Sequence, residues 1–411
     1  MATKAQPRDI LIIGGGPSGI STALHLARDY PDLTSRILVL EKAHYPRPKL
    51  CAGGLVVDAE LILERLGLDV SEVPHVDAGE VHLDFEAKGV YLRPRGTHAL
   101  RIIRRDEFDA WLARKASERG IRIMQGVTVR DLCPDADGVT VETDAGLFRA
   151  QVVAGADGSN GVTRRRILPD APVSTARLLE IITPEHVVAS ASREATPSWS
   201  HGVVSERNYP DTNSPSHKPG AAYFDFFPVP AGIAGYTWDF PTQVKGTPMR
   251  CWGVYDTNLL AYVDRPALRQ PLAEEMSRHG FKLDRYELKG HPIRWFDPRG
   301  PLSVPRVLLV GDAAGSDPLF GEGISIALGY GALAACEIGE AFRGQDFSFS
   351  SYKRRIMRSS LGRTLFMRWF IAKVIYTLRW RWFQILLWRM MRYVVLVVGW
   401  LFVVNWAKRL K

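Results

Sequence analysis

Three glycines and one acidic residue near the N-terminus have the types and spacing of a dinucleotide-binding site. Gly14, Gly16 and Gly19 form a G-x-G-x-x-G pattern, and Glu41 follows 22 residues after the last of them. The first glycine permits a tight turn, the second lets the backbone approach a pyrophosphate, and the third allows close helix packing. Helix N-terminal N–H groups would bind the phosphates, and the glutamate would accept hydrogen bonds from a ribose diol.

The elements that must position these residues are predicted directly around them. Residues 9–13 are a short apolar run, residues 17–30 carry apolar side chains at helical spacing, and residues 36–42 are typical of a second buried strand. This order of strand, glycine turn, helix and strand is a βαβ unit, the context that makes the fingerprint specific. NAD and FAD sites share it, so the choice between them stays open at this point.

Two later stretches each place an acidic residue at the end of an apolar strand. Residues 152–165 reach Asp157 and Gly158, and residues 306–335 reach Asp312 before a loop rich in Gly and Pro and a helix of small residues. A strand followed by a tightly packed helix would explain the glycines. It would not explain the aspartate, or a Gly-Glu-Gly immediately before the helix.

These stretches resemble the flavoproteins with the glutathione-reductase-like FAD fold, a group that includes aromatic hydroxylases and geranylgeranyl reductases. The resemblance implies FAD as cofactor, with Asp312 on its ribityl chain and Pro318 beside the flavin ring. It also implies that the amides of Gly323 and Ile324 face the flavin pyrimidine edge, where donors stabilise the charge of a reduced flavin.

Residues 104–112 match the group's R-x-x-F-D-x-x-L helix start, which makes Arg105 a further expected FAD contact. An exposed arginine in the first turn of a helix is the alternative interpretation. The full set of expected cofactor-binding residues is Gly14, Gly16, Gly19, Glu41, Arg105, Asp157, Gly158, Asp312, Pro318, Gly321, Gly323 and Ile324.

Two further motifs are similar to those of the geranylgeranyl reductase family. The first, Y-x-W-x-F-P, makes its aromatic residues and proline the expected substrate contacts, although Thr242 stands where the family commonly has Lys. The second, K-x-C-x-G-G, contains Cys51, the candidate catalytic residue beside the flavin. Core filling would also explain alternate aromatic side chains on a strand, and a buried cysteine can be a small hydrophobe. The residues of the first motif are Tyr236, Trp238, Phe240 and Pro241.

The resemblance implies hydride transfer from reduced FAD to an isolated carbon–carbon double bond of a prenyl lipid of the geranylgeranyl type. The motifs contain no obvious carboxylic acid for the accompanying proton, so water and the Cys51 thiol are the expected sources. NADPH or a ferredoxin-like protein would supply the electrons. Three alternatives stay open: a flavin monooxygenase of a hydrophobic substrate, a flavin halogenase, and a non-catalytic FAD-bound membrane protein.

The predicted fold class is α/β: a Rossmann-like FAD-binding domain with an inserted, mainly antiparallel β-sheet substrate domain and a C-terminal helical segment. The insertion makes the FAD-binding domain discontinuous in sequence. The expected divisions are 1–78, 99–170 and 297–350 for the FAD-binding domain, 79–98 and 171–296 for the substrate domain, and 351–411 for the C-terminal region.

The net charge of +9 comes from this C-terminal region and not from a nucleic-acid-binding surface. From Phe347 to Lys411 there are 14 Lys or Arg and no Asp or Glu, so the remaining residues carry 39 basic and 44 acidic side chains. Six of the eleven tryptophans lie there too. Basic residues interleaved with Trp and aliphatic residues favour an anionic membrane surface.

We expect a cytoplasmic enzyme bound peripherally to the membrane. No two of the four cysteines lie closer than 82 residues apart, and no apolar segment precedes the first strand. The apolar run from Tyr393 to Trp406 has 14 residues, fewer than the roughly 20 that span a bilayer. Basic residues surround the predicted helix, which favours two helices or a hairpin over one helix lying flat. A true membrane span and a helix buried against the enzyme or another subunit are the alternatives that stay open.

Overall fold

The computed structural model describes residues 5–172, 174–185, 217–218, 220–259 and 266–410. Parts of the expected substrate domain, including residues 186–216, lie outside these ranges. The described strands are β1 (Gln6–Ile13), β2 (Ile37–Glu41), β3 (Gly54–Leu55), β4 (His75–Ala78), β5 (Glu80–Asp84), β6 (Gly89–Leu92), β7 (Leu100–Ile103), β8 (Arg122–Gln125), β9 (Val129–Pro134), β10 (Val139–Thr143), β11 (Gly146–Gly155), β12 (Thr175–Pro184), β13 (Ala221–Asp225), β14 (Gly235–Val244), β15 (Thr247–Asp256), β16 (Lys289–Arg294), β17 (Ser303–Val304) and β18 (Val307–Leu309).

The helices lie mainly in the first and last thirds of the chain. The described α-helices are α1 (Pro17–Asp29), α2 (Val57–Arg65), α3 (Arg105–Glu118), α4 (Val162–Ile167), α5 (Arg269–Arg278), α6 (Ile324–Gly344), α7 (Tyr352–Arg358), α8 (Ser360–Thr377), α9 (Arg381–Ile385) and α10 (Arg392–Val398).

An eight-stranded sheet carries the dinucleotide fingerprint. Its main path runs β17-β18-β11-β1-β2-β8, and β11, β1, β2 and β8 pair in parallel. All five residues of β2 are buried, as expected for a strand covered on both faces. Helix α1 follows β1 and packs against α6, so the fingerprint glycines lie between the sheet and the start of α1. The predicted βαβ unit is confirmed.

A seven-stranded sheet forms the second layer, in the order β16-β12-β15-β14-β13-β5-β6. Its pairs are antiparallel except β13 with β5, so the predicted mainly antiparallel sheet is confirmed. Helix α5 covers one face through Leu272 and Met276, which pack with Trp252. Alternate residues of the same strands point to the opposite face, which the C-terminal region partly covers.

The C-terminal region is a series of helices that packs in part against the second sheet. Between α8 and the last described residues, the chain bends by 76° between Arg381–Met390 and Arg392–Arg409. The Trp388 ring stacks on Phe226 with centroids 4.0 Å apart. The prediction that this region is not a single helix is therefore confirmed.

The last described residues pack against α2 and are held there by hydrogen bonds. The Asp58 carboxylate accepts hydrogen bonds from the Asn405 and Ala407 amides at 2.9 and 2.7 Å. Between them, Trp406 is fully buried. A methyl group on Gly329 would lie 2.5 Å from the Trp406 ring, so α6 is shaped to receive this indole.

Among the described residues, α6 is long and apolar enough to cross a membrane, and so is the bent pair in the C-terminal region if it is taken as one span. Within the apolar stretch of α6, 83% is buried inside the protein. That burial is typical of a core helix.

Candidate functional site

Of the three glycines of the G-x-G-x-x-G pattern, Gly16 is the one with open space beside it in the part of the chain that the structure describes. Methyl groups on Gly14 and Gly19 would lie 2.3 Å from the Ala156 carbonyl oxygen and 2.0 Å from the Gly14 carbonyl oxygen. A methyl group on Gly16 would meet only Arg47, at 3.6 Å. The outer glycines are therefore required by packing, whereas Gly16 borders a free volume at the N-terminus of α1, where a phosphate fits.

Charged side chains surround this free volume. The buried Glu41 carboxylate accepts a hydrogen bond from the Gly15 amide at 2.9 Å. Arg47 lies 3.4 Å from Glu41 and 3.3 Å from Asp109, and its buried Nε has no hydrogen-bond partner among the described residues. Arg105 is bidentate to Asp109 at 2.8 and 2.9 Å. The unpaired Arg47 donor suits an anionic ligand, because a buried donor without a partner is costly.

Two aspartates mark the opposite side of the same space. Asp157 accepts hydrogen bonds from the Thr163 amide and hydroxyl at 2.9 and 3.0 Å, while its buried Oδ1 has no hydrogen-bond partner in the part of the chain that the structure describes. Burial raises the pKa of Asp312, and the charges of Lys49 and Arg105 oppose this rise. Both acids line the cavity and can accept hydrogen bonds from a polyhydroxyl chain.

The loop before α6 brings the N-terminus of that helix to the cavity. Gly321 has a φ of 63°, and a methyl group there would lie 2.8 Å from the Tyr255 ring. A methyl group on Gly323 would lie 3.7 Å from Asp312, so the carboxylate stands beside the first turn of α6. The Glu322 carboxylate caps this turn by accepting from the Ser325 amide at 2.8 Å.

The predicted aromatic residues form one wall of the cavity. On β14 they alternate, so Tyr236, Trp238 and Phe240 point to the same face. A methyl group on Gly253 would lie 2.0 Å from the Trp238 ring, which shows that the indole lies across β15. The Tyr236 hydroxyl donates to the Phe320 carbonyl, which ties this wall to the loop before α6.

Cys51 lies between the charged and aromatic parts of the cavity. Its sulfur accepts from the Gly53 amide at 3.4 Å, and burial raises the pKa of the thiol. Nearby, Lys49 Nζ lies 2.7 Å from His291 Nε2. Burial lowers the pKa of His291 to about 4, with the charge of Lys49 as the next cause, so the imidazole is a neutral acceptor at pH 7.

These groups share one cavity of about 1460 Å³. Most of the residues predicted from sequence line it. Gly19, Pro241 and Pro318 do not: Gly19 packs against the Gly14 carbonyl, and both prolines are buried outside the lining. The predicted residues in its lining are Gly14, Gly16, Glu41, Cys51, Arg105, Asp157, Gly158, Tyr236, Trp238, Phe240, Asp312, Gly321, Gly323 and Ile324.

Sequence reasoning missed several residues of this cavity. Glu180 lines it from β12 and lies outside every motif; it is placed by the pairing of β12 with β15 and β16, and it interacts with the Cys51 backbone amide. The sequence around Arg47 could have indicated its place in the cavity, because Arg47 lies in a basic segment two residues before the K-x-C-x-G-G motif. The C-terminal lining, which includes Phe370, Leu387 and residues 394–401, has no local signal because its partners are distant in sequence.

A second group of polar side chains lies on the opposite face of the antiparallel sheet. His217, Glu275 and His279 place ligand-type atoms within 4.8 Å of one another. His217 Nδ1 already bonds Asp239 at 2.6 Å, and Glu275 pairs with Arg278 at 2.9 Å. This group braces α5 against the sheet and is separate from the cavity.

The cavity's residues fit FAD, with a phosphate space at Gly16, unpaired polar atoms on Arg47 and Asp157, and a helix N-terminus beside Asp312. Residues 8–194 match the family model described as "FAD binding domain". The chain is an FAD-dependent oxidoreductase. Its resemblance to geranylgeranyl reductases was apparent from sequence motifs, and comparison with known proteins agrees with it.

Among curated relatives of this oxidoreductase is a digeranylgeranylglycerophospholipid reductase of Thermoplasma volcanium, 26% identical over 83% of this chain and 80% of its own. A menaquinone reductase of Mycolicibacterium smegmatis is 26% identical, with 82% and 76% covered.

Solved structures share the fold. A geranylgeranyl bacteriochlorophyll reductase-like protein from Thermoplasma acidophilum superposes with a TM-score of 0.71 at 21% identity, over 91% of this chain and 89% of that one. The flavin-dependent brominase Bmp2 gives 0.65 at 18%, over 97% and 94%. Fold likeness therefore includes reductases and halogenases, and the reaction must be argued from the site.

Proposed function

We propose that the oxidoreductase saturates carbon–carbon double bonds of a prenyl lipid of the geranylgeranyl type, with reduced FAD as the hydride source. The continuity of the cavity carries this proposal, since its dinucleotide end opens into an aromatic and aliphatic compartment. Such a compartment suits a hydrocarbon chain, which gains from burial and needs no hydrogen bonds. The name of the Thermoplasma volcanium relative, which specifies a digeranylgeranyl lipid, supports the same substrate class.

The polar end of the cavity would hold the cofactor. Gly16 leaves room for phosphate over the first turn of α1, and the Arg47 guanidinium faces that room. Asp312 and the amides at Gly323 and Ile324 would bind the ribityl and pyrimidine parts of FAD. Lys49 and Arg105 add positive charge beside Asp312, which favours the anion of a reduced flavin.

The aromatic wall would orient the prenyl chain and stabilise the reacting carbon. An isolated alkene has no carbonyl to polarise, so positive charge develops on carbon as the double bond reacts. The faces of Tyr236, Trp238 and Phe240 attract such charge, and the attraction is stronger where water is excluded. All three side chains are at most 5% exposed, so this wall keeps water from the reacting atoms.

Anaerobic turnover tests the proposal. Purified protein reconstituted with FAD is reduced with dithionite and incubated with a digeranylgeranyl phospholipid, and the lipid is analysed by mass spectrometry. The expected product is heavier by pairs of hydrogen atoms, with no oxygen incorporated. Unchanged lipid after complete FAD loading contradicts the proposal.

Oxygen dependence distinguishes the proposed reductase from a monooxygenase or halogenase, which share the FAD-binding elements. The same lipid is offered with NADPH, oxygen and bromide. Added oxygen or bromine in the product contradicts the reductase proposal.

The electron donor is also part of the proposal. NADPH and a ferredoxin-like protein are the two candidates. Anaerobic bleaching of the bound flavin by NADPH alone would assign the first, and bleaching only with a reduced ferredoxin would assign the second.

We further propose that the C-terminal region docks on the cytoplasmic face of an anionic membrane. Of the sixteen exposed large hydrophobic side chains among the described residues, thirteen lie in this region, including Trp380, Trp382 and Trp400. Exposed Arg379, Arg392 and other basic residues lie among them. Trp with Lys or Arg is the composition that favours a headgroup boundary.

The docking proposal agrees with the position of the cavity. Trp400 and Leu401, which are exposed, also line the cavity. A prenyl chain could therefore pass from the bilayer into the enzyme along this segment without crossing water.

A further inference from the structure

Glu180 is a buried carboxyl group in the cavity wall with an unused hydrogen-bonding atom. The residue is 4% exposed, and among the residues that the structure describes Oε2 has no hydrogen-bond partner. On β12 it points to the same face as Leu178, and both line the cavity. A buried, unpaired carboxyl oxygen is costly as an anion, so its placement beside a substrate cavity calls for an explanation.

The sheet register places this carboxyl at the end of the aromatic wall. Glu180 pairs with Gly253 of β15, and Gly253 pairs with Trp238 of β14. Because Gly253 has no side chain, the Trp238 indole lies over it and extends toward Glu180. The carboxyl and the indole are therefore neighbours in one cross-strand row.

The surroundings of Glu180 favour its neutral form. Burial raises its pKa to about 7, against the opposing effects of Arg104, Lys289 and the Cys51 backbone amide. Burial raises the pKa of the Cys51 and Cys251 thiols, and the charge of Glu180 raises both further. A carboxylic acid that keeps its proton near neutral pH is a suitable general acid, whereas these thiols release theirs less readily.

We propose that Glu180 is the catalytic acid that protonates the prenyl chain when its double bond is reduced. This inference rests on the function proposed above. One alkene carbon receives hydride from reduced FAD, and the π electrons of the double bond take the proton at the other carbon. The Glu180 O–H bond breaks, the new C–H bond forms, and the carboxylate regains a proton from solvent.

Replacement of Glu180 by Gln tests the role, because the amide preserves shape but cannot donate this proton. We expect E180Q to bind FAD and accept electrons like the unaltered protein. Its rate of double-bond reduction should fall about 10²- to 10⁴-fold, the range for loss of a general acid. Glu274→Gln, at an exposed position of α5 on the other face of the sheet, is the matched control and should keep full activity.

The pH profile gives a second measurement. The unaltered protein should lose activity as pH rises through about 7, because Glu180 then loses its proton. E180Q should lack this limb, and E180D should keep it at a reduced rate.

Stability gives a measurement independent of turnover. The folded pKa of Glu180 exceeds its ordinary value of 4.5, so ionisation of Glu180 destabilises the folded state increasingly between pH 4.5 and about 7. E180Q should therefore gain stability relative to the unaltered protein at pH 8, but not at pH 4, in urea denaturation of the FAD-loaded enzyme.

The outcomes separate the two proposals. An active unaltered protein together with an E180Q variant of equal rate and pH profile overturns the role of Glu180 alone. An unaltered protein that reduces no prenyl lipid overturns the proposed function and this role with it. Loss of activity only in E180Q, with the predicted change in pH-dependent stability, supports the assignment.

Discussion

At the scale of single residues, identical residue types serve different purposes in the glycine-rich turn. Gly14 and Gly19 are needed by the protein's own packing, because added methyl groups would overlap backbone oxygens. Gly16 has no such neighbour, since a methyl group there meets only the flexible end of Arg47. Its small size matters only when a ligand phosphate lies above the helix.

This difference predicts that one alanine variant loses stability and the other loses FAD affinity. Gly19→Ala should lower the free energy of unfolding of the FAD-free protein by about 1–3 kcal/mol, through overpacking. Gly16→Ala should leave that stability within about 0.5 kcal/mol and weaken FAD binding at least about tenfold. Chemical denaturation and flavin fluorescence titration measure the two effects. Equal FAD affinity in Gly16→Ala would contradict the phosphate site.

The sequence predicted much of the site at this scale because its residues belong to continuous motifs. Gly14 and Asp312 follow buried strands and Glu41 ends one, and parallel strands of one sheet bring their ends together. Glu180 follows no such rule. Its position depends on strand pairing across more than seventy residues, which a local pattern does not record.

At the scale of elements, Arg368 joins α8 to the loop before α6. Its buried guanidinium donates to Asp317 Oδ2 at 2.8 Å and to the Val403 carbonyl at 2.6 Å, and it lies 3.2 Å from Glu322. Asp317 in turn accepts from the Leu319 amide at 2.7 Å. One side chain therefore couples the C-terminal region to the loop that faces the cavity.

Removing this side chain should loosen both elements. Arg368→Met should lower the free energy of unfolding by about 3–5 kcal/mol, because Asp317 and Glu322 would be left buried without their cation. Arg363→Met is the control: among the described residues its exposed guanidinium bonds only the Arg358 carbonyl, and the expected change is within about 0.5 kcal/mol. Urea denaturation measures both, and equal stabilities would contradict the coupling.

The C-terminal elements show where sequence reasoning ends. Their composition predicted helices, a break and affinity for a membrane, since these depend on local residue types. The hydrogen bonds of Asp58 to Asn405 and Ala407 join residues almost 350 positions apart. No periodicity in either segment indicates that pairing. The sequence therefore predicted a separate C-terminal region, whereas in the structure this region forms part of the cavity wall.

At the scale of the whole molecule, basic charge and exposed apolar side chains are concentrated in the C-terminal region, which also lines the cavity. The C-terminal region holds the excess of basic residues and most exposed large apolar side chains of the described chain. Tyr91 and Leu92 of β6 are also exposed, and Leu92 lines the cavity. A single membrane-facing surface would therefore contain both the docking residues and the substrate entrance.

Vesicle binding tests this arrangement. The double variant Trp382→Ser, Trp400→Ser should bind vesicles of anionic phospholipid at least about tenfold more weakly, because two exposed indoles leave the headgroup boundary. Val57→Ser removes an exposed apolar side chain outside the C-terminal region and should not change binding. In flotation assays, the unaltered protein should bind the vesicles more weakly as the salt concentration rises, because salt screens the attraction between its basic residues and the anionic lipid. Equal binding of all three proteins would contradict the docking surface.

The most direct test of the proposed reaction is the electron balance of a single turnover without oxygen. Protein-bound FAD is reduced, excess reductant is removed, and geranylgeranyl phospholipid in vesicles is added while the flavin spectrum and the lipid mass are followed. The proposed function predicts that the flavin reoxidises and that one double bond is saturated for each FAD. Flavin that stays reduced until oxygen is admitted, with the lipid unchanged, would contradict it.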